Sequence, residues 1–376
     1  MKKLIILLVG ISIYNCAASQ TYISLFAQNQ KNIDSLLKSI YNDSLPGISI
    51  GIVFNGKSVF EKSYGITNII NKQKITASSN FNICSLTKQF TALAILQLEK
   101  KHLLSLTDKL SGFFPDMNKK VAEKITIQEL LTHSSGIVDH YDYTNTSQMK
   151  HAHNADVYNA IKNIDTTYFE PGSRFKYSNT GYCLLALVIE KITGMKYNDY
   201  MLKNVFAPAG MKNTIIWNET AIIRNEVTGY TFDSVSAMFK QSGANEHIFF
   251  STEGDGGVYT SVRDYEHWFA ALENGKVFSK TIVDKARTIE YKIDAAKKIG
   301  YGYGWFIDEN DALTKVYHSG DNGGFKTYSF TIPQLNFMVV IFSNRDDINL
   351  ENIVQQIVNL LLPANIKFTP VEVMTS

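Results

Sequence analysis

Apolar residues recur along this chain with two different spacings, and the change of spacing marks out its parts. Ile48, Ile50 and Ile52 alternate with Ser49 and Gly51, which predicts a strand from Ile48 to Phe54. A second strand follows from Lys57 to Tyr64, joined at Asn55-Gly56, a strong hairpin signal. From about Ser79 to Gly254 the pattern is mostly helical, with long polar loops. Within it Phe90, Leu93, Ala94, Ile95, Leu96 and Leu98 are apolar on most faces, as in a helix at the centre of a domain. Ser261 with Asp264 predicts a capping box opening a helix that Gly275 ends. Strands are expected near Gly302 to Asp308, Phe325 to Ile332 and Phe337 to Ser343. A last helix carries Leu350, Ile353, Val354, Ile357 and Leu361 on one face. The expected fold class is α+β: an antiparallel sheet flanked by N- and C-terminal helices, with an inserted, mainly helical lobe. The sheet lobe would take residues of about 20–78 and 276–376 and the helical lobe about 79–275, with a cleft between them.

Ser85-Leu86-Thr87-Lys88 opens the central helix and puts a hydroxyl and an amine one turn apart. A serine is a poor nucleophile without a base beside it, and a lysine serves when its surroundings favour the neutral amine. The helix N-terminus favours negative charge developing at the serine. The same spacing occurs at Ser35/Lys38, Ser147/Lys150 and Ser173/Lys176. Only Ser85/Lys88 follows a strand pair and leads into a long apolar helix, so acyl transfer is assigned there.

Tyr177-Ser178-Asn179 precedes another apolar run, and in extended backbone its first and third side chains point the same way. A phenol to move a proton and an amide to hold a carbonyl would then face one pocket. Tyr143-Thr144-Asn145 repeats the pattern in a polar loop without framing elements. His318-Ser319-Gly320 ends a Lys-Val-Tyr run and leads through Asp321-Asn322-Gly323-Gly324 into a strand. A glycine there lets a substrate lie against backbone as an added strand would.

In these three motifs and their order the chain resembles the serine β-lactamase and penicillin-binding protein superfamily. The branch is the class C β-lactamase-like one, which has a Tyr-x-Asn second motif and includes D-aminopeptidases, some DD-carboxypeptidases and esterases. Leu130 to Gly136, Gly254 to Gly257 and Gly302 to Trp305 also look like that family. The resemblance implies Ser85 as nucleophile, Lys88 as its base and Tyr177 as a partner in proton transfer. It implies substrate binding by Asn179 and by the edge formed by His318, Ser319 and Gly320. The oxyanion hole would be the backbone N–H of Ser85 with that of Asp321. Histidine at position 318 departs from the usual lysine and, with an ordinary pKa of about 6.5, gives up a permanent charge for a substrate carboxylate. A peptidase, amidase or esterase is therefore expected ahead of a dedicated β-lactamase. A silent receptor that keeps the fold to sense peptidoglycan fragments is the other class, and no Gly-x-Ser-x-Gly elbow supports an α/β-hydrolase.

Composition adds location and partners. Lys2 and Lys3, an apolar run to Ile13 and small residues to Ser19 predict a signal peptide over residues 1–19, hence a secreted or periplasmic protein. Cys16 marks a lipoprotein alternative; otherwise the mature chain is expected to be soluble. The 37 basic and 35 acidic residues leave a net charge of +2, which argues against a nucleic-acid partner and for a small-molecule or peptide substrate. Cys84 and Cys183 are expected as buried thiols. His133, His140, His151 and His153 match no compact ligand spacing, so no metal or other cofactor is expected. Tyr141 and Tyr143 are expected at the cleft mouth, and Arg345 is a further candidate for a substrate carboxylate.

Overall fold

Asn55 and Gly56 both take positive φ, 50° and 72°, the turn whose twist matches that of two antiparallel strands. The turn joins β1 (Ile48–Phe54) to β2 (Lys57–Tyr64) in the computed structural model, which describes residues 25–144, 150–242 and 248–362. β1 is buried along its whole length while β2 buries only Phe60 and Tyr64, which makes β1 an interior strand and β2 an edge. Six further strands complete the sheet: β3 (Tyr291–Asp294), β4 (Ile299–Tyr301), β5 (Phe306–Asp308), β6 (Lys315–Asn322), β7 (Phe325–Ile332) and β8 (Phe337–Ser343). Their order is β2-β1-β8-β7-β6-β5-β4-β3, antiparallel throughout. The last strand thus pairs with the first, from Ile48↔Ser343 to Val53↔Met338.

Alternation along β8 assigns the two faces of the sheet. Phe337, Val339 and Ile341 join Ile33, Leu37, Ile353 and Ile357 from helix α1 (25–40) and the C-terminal helix. Met338, Val340 and Phe342 pack on the other side, with Val262 and Trp268 and the core of the second lobe. That lobe is built on α2 (Lys88–Lys100), which buries ten of its thirteen residues and is therefore a central helix, and on α3 (Asn179–Thr193). α4 (Val262–Glu273) lies against β1 and β8, and α5 (Leu350–Leu361) closes the chain's described part.

Several local expectations need correction. The stretch read as helical carries short strands: Phe81–Asn82 and Ile215–Ile216 form a small sheet with Val258–Thr260 just beyond it, and Tyr230–Asp233 with Met238–Gln241 form another. Runs of two to four residues are too short to show a period. The strand expected near Gly302 is two strands, β4 and β5, separated at Gly304, whose φ is +87°. A helix, Lys280–Ala286, and β3 precede them unannounced. At α4 only half of the capping box forms: Ser261 accepts from Asp264 N, but the Asp264 carboxylate turns to Asn213 N and Thr214 Oγ1. The predicted signal peptide, Cys16, Asn145 and Ser147 lie outside the described residues. Among the described residues no helix is long and apolar enough to cross a membrane.

Candidate active site

Asn82, at the end of its short strand, accepts a 2.7 Å hydrogen bond from Cys84 N and turns the chain sharply, with Cys84 at a φ of +51°. Cys84–Thr87 then forms a 3-10 turn, and Lys88 is the first residue of α2. Three residues per turn bring Ser85 directly over Lys88, a closer superposition than the α-helical spacing expected from sequence. The Lys88 amine lies 3.0 Å from Ser85 Oγ, 2.8 Å from Asn179 Oδ1 and 2.9 Å from the Asp255 carbonyl oxygen. Two of these three partners can only accept, so Ser85 is the one able to give Lys88 a proton. Lys88 is fully buried, with its nitrogen 4.9 Å from the Tyr177 ring and 5.6 Å from that of Tyr182. The other spacings hold no such pair among the described residues: Lys38 meets Asp34, and Ser173 Oγ donates to the Glu170 carbonyl.

Tyr177 and Asn179 do not share one extended segment. Ser178 is extended and caps α3, its Oγ accepting from Gly181 N at 3.2 Å, and Asn179 is already helical. Lys88 nevertheless gathers both side chains. Sequence reasoning missed what fixes Tyr177. His133 accepts from Lys176 N through its carbonyl at 2.9 Å and from Ser178 N through Nδ1 at 3.1 Å. Burial, with the charge of Lys88 behind it, pushes the His133 pKa well below its ordinary value, so the ring is neutral. The Tyr177 hydroxyl is buried without a hydrogen-bond partner.

β5 stops pairing with β6 at Tyr317, which leaves the rest of β6 with one open side. Positive φ at Gly323 and Gly324 makes a tight hairpin, so Asn322 and Phe325 bond across it. By alternation the backbone groups of Ser319 and Asp321 turn away from β7. Gly320 admits this strand to the site: a Cβ there would lie 2.7 Å from the Ile83 carbonyl oxygen and 2.8 Å from Cys84 Cβ.

His318 lacks even the pH-dependent charge that an ordinary histidine would bring to the site. It is 2% exposed, its Nδ1 donates to the Ser319 carbonyl at 2.6 Å, and Nε2 accepts from the Tyr301 hydroxyl at 3.1 Å. Burial first, and the charge of Lys88 second, lower its pKa to about 3. Neutral and sealed beneath the site, it cannot dock a carboxylate at the cleft. Arg345 is likewise committed, to Asp347 at 2.5 and 2.6 Å and to the Phe239 ring.

The cleft itself has a volume of about 310 Å³, and its wall includes Ser85, Tyr141, Asn179, Asp255, Asp321 and Asn322. Tyr141 stands at the mouth, as expected, and its hydroxyl accepts from Asn179 Nδ2 at 3.3 Å. Asp255 was not singled out in the sequence, since only the glycines around it carry a pattern. The histidines go separate ways. His140 Nδ1 meets Thr180 Oγ1 at 3.0 Å, His151 lies against Trp217, and His153 bridges Glu253 and Glu219 at 2.7 and 2.8 Å. Among the described residues no group of three or more His, Cys, Asp or Glu is placed to hold a metal ion.

Comparison with known proteins agrees with this architecture. The family described as Beta-lactamase matches residues 29–360. A penicillin-binding protein of Bacillus subtilis (strain 168) is 30% identical over 304 residues, covering 78% of this chain and 66% of that protein. The octameric penicillin-binding protein homologue of Pyrococcus abyssi superposes with a TM-score of 0.76 and 27% identity, over 89% of this chain and 77% of that one. The D-amino acid amidase of Ochrobactrum anthropi SV3 shares the fold, with a TM-score of 0.71 and 21% identity over 88% of this chain and 98% of its own. The chain spans about two thirds of the length of the Bacillus subtilis relative.

Proposed function

This chain belongs to the β-lactamase family by the match over residues 29–360, and from that premise we propose that it hydrolyses an amide, peptide or ester through an acyl-enzyme on Ser85. The observation that carries the reading is the buried Lys88 amine, held by two carbonyl oxygens so that its remaining valence meets the Ser85 hydroxyl at 3.0 Å. A lysine with a free lone pair takes the hydroxyl proton as Ser85 Oγ bonds to the substrate carbonyl carbon. The oxyanion is received by the backbone N–H of Ser85 and of Asp321. Tyr177, poised beside Lys88 with an unpartnered hydroxyl, gives its proton to the departing amine or alkoxide as its bond to carbon breaks and regains one from Lys88, which leaves the amine free again. Water then adds to the acyl ester by the same route and frees the acid and Ser85. Asn179 orients Lys88 through Oδ1 and offers Nδ2 to the substrate.

Two features favour a peptidase, amidase or esterase over a dedicated β-lactamase: His318 supplies no charge, and among the described residues none of those that line the cleft is basic. The signal-like residues 1–19 support secretion or a periplasmic location. Labelling by a fluorophosphonate and by a fluorescent penicillin, followed by mass mapping, tests the nucleophile. A label on Ser85 is expected, and no label on any serine would instead make this a silent receptor. Turnover of p-nitrophenyl esters, D-Ala-D-Ala peptides, amino acid amides and nitrocefin then ranks the substrate classes.

A further inference from the structure

Lys88 can aim a lone pair at Ser85 only while its other two N–H bonds are held elsewhere, and one of their two acceptors is the backbone oxygen of Asp255. That oxygen sits in a turn fixed from two sides. On the inner side Thr91, one helical turn beyond Lys88 on α2, donates to the Gly254 carbonyl at 2.6 Å. Gly254 also lies close against α3, where a Cβ would come within 2.4 Å of the Tyr182 carbonyl oxygen.

On the outer side the tie is to Asn154, the buried first residue of the helix Asn154–Ile161. Its Oδ1 accepts from the backbone N–H groups of Glu253 at 3.2 Å and Gly254 at 3.4 Å, and its own backbone N–H donates to Glu253 Oε2 at 3.1 Å. His153 meets the other carboxylate oxygen, Oε1, at 2.7 Å and reaches Glu219 with its far nitrogen. The bond to Glu253, more than any other influence, raises the His153 pKa to about 9, so this link is an ion pair at neutral pH. Bonds returned in both directions leave the peptide between residues 253 and 254 little freedom to rotate, and the oxygen that Lys88 uses is one residue on.

On the reading that Ser85 is the nucleophile, we propose that Asn154 and Glu253, with His153 behind them, are positioning residues that hold the Asp255 carbonyl where it turns the Lys88 lone pair onto the Ser85 hydroxyl. All three lie outside the three sequence motifs. Were the turn to loosen, an N–H of Lys88 could swing towards Ser85, and the amine would meet the hydroxyl as a donor instead of a base. The competing role is plain support of the helix Asn154–Ile161, which would lower stability without singling out proton transfer.

The test reads the rate of Ser85 labelling by a fluorophosphonate, kcat and KM on an ester that the parent cleaves, and the urea midpoint. Asn154→Ala should slow labelling and lower kcat about tenfold or more, the scale of a small misplacement at a reacting centre, while KM stays within twofold. Asn154→Asp, which keeps an acceptor for the two N–H groups, should recover part of the loss. Val157→Ala truncates a buried residue of the same helix; it should lower the urea midpoint and leave labelling within twofold. Should Asn154→Ala fail to fold, Glu253→Gln, which keeps the shape and gives up the ion pair, should slow labelling severalfold in its place. Labelling at the parental rate in the folded variant, a rise in KM with kcat unchanged, or equal slowing in Val157→Ala would overturn the proposal while leaving the hydrolase reading intact. Absence of any label on Ser85 in the wild type would overturn the hydrolase reading and this inference with it.

Discussion

His133 and Tyr177 lie ring against ring, their centroids 4.2 Å apart and their planes inclined by 32°. The residues on either side of the tyrosine are both tied to that histidine, so the phenol is clamped from its ring and from its backbone. Tyr177→Phe keeps the clamp and removes the proton carrier; turnover should fall about a hundredfold or more with little loss of stability. His133→Leu should lower kcat while KM stays near its original value, and His133→Asn, which restores an acceptor, should recover part of the loss. Tyr143→Phe serves as the control. An effect on kcat larger there than at Tyr177 would mean that the second motif was misassigned.

Ser85→Ala should lose on the order of a thousandfold or more in turnover, with an unchanged circular dichroism spectrum. Lys88→Ala should fall almost as far, because the pair acts as one unit. Wild-type rates in either variant, on every substrate cleaved by the parent, would remove Ser85 and Lys88 from the chemistry.

Gly320→Ala tests the approach of β6 to the nucleophile. The added methyl meets Thr327 Oγ1 as well as the turn before Ser85, at 2.4 Å before any relaxation. Overpacking of this kind costs about 1 to 3 kcal/mol, and the strand should move off the oxyanion position. Lowered urea midpoint and lowered kcat are expected together. A variant as stable and as fast as the parent would show that the strand has slack.

Acid should weaken the fold before it alters carboxylate recognition. Native pKa values of about 3 for His140 and His318, and a lowered one for His133, lie below the ordinary 6.5. The unfolded chain therefore binds protons that the native chain refuses. The stability these neutral rings support is complete above about pH 6.5 and declines as pH falls, by about 1.4 kcal/mol per unit for each ring. Glu266, raised to about 7 chiefly by burial, has the opposite sign and offsets about one of the three. Urea midpoints should drop between pH 6.5 and 5, whereas a flat profile would contradict the assignment of neutral histidines.

Substrate charge and pH should be uncoupled at His318. For an ester and the same ester bearing a carboxylate, KM should follow parallel pH profiles between pH 5 and 8. A selective gain by the carboxylate substrate on acidification would show that this ring does charge and reach the cleft.

What the sequence disclosed of this molecule depended on length of signal. The β1–β2 hairpin, β7, β8 and α5 were legible because several residues repeat a period and a turn residue marks the end. Ser85 and Lys88 could be told from three decoys because the helix behind them is apolar all round. The small sheets were illegible, since a strand of two residues is made by its neighbours. His318 misled because its residue type speaks of an exposed titrating ring, while burial first and the charge of Lys88 second keep it neutral, and neither is written in the residues around it. Asp255 stayed hidden for the same reason: a lone acid between glycines declares a turn, and only the fold shows that it fronts a cleft.

The pairing of β1 with β8 sets a schedule for synthesis. A ribosome delivers β1, which the finished fold buries along its whole length, long before Ser343 exists to sit beside Ile48. Until the last strand emerges, the nascent sheet has an unprotected interior edge, and β6, which completes the site, has no place to dock. Contacts so distant along the chain form slowly and expose sticky surface meanwhile. The protein is thus committed to translation through β8 before it acquires its site, and a chain stopped short of β8 leaves one side of β1 unpaired.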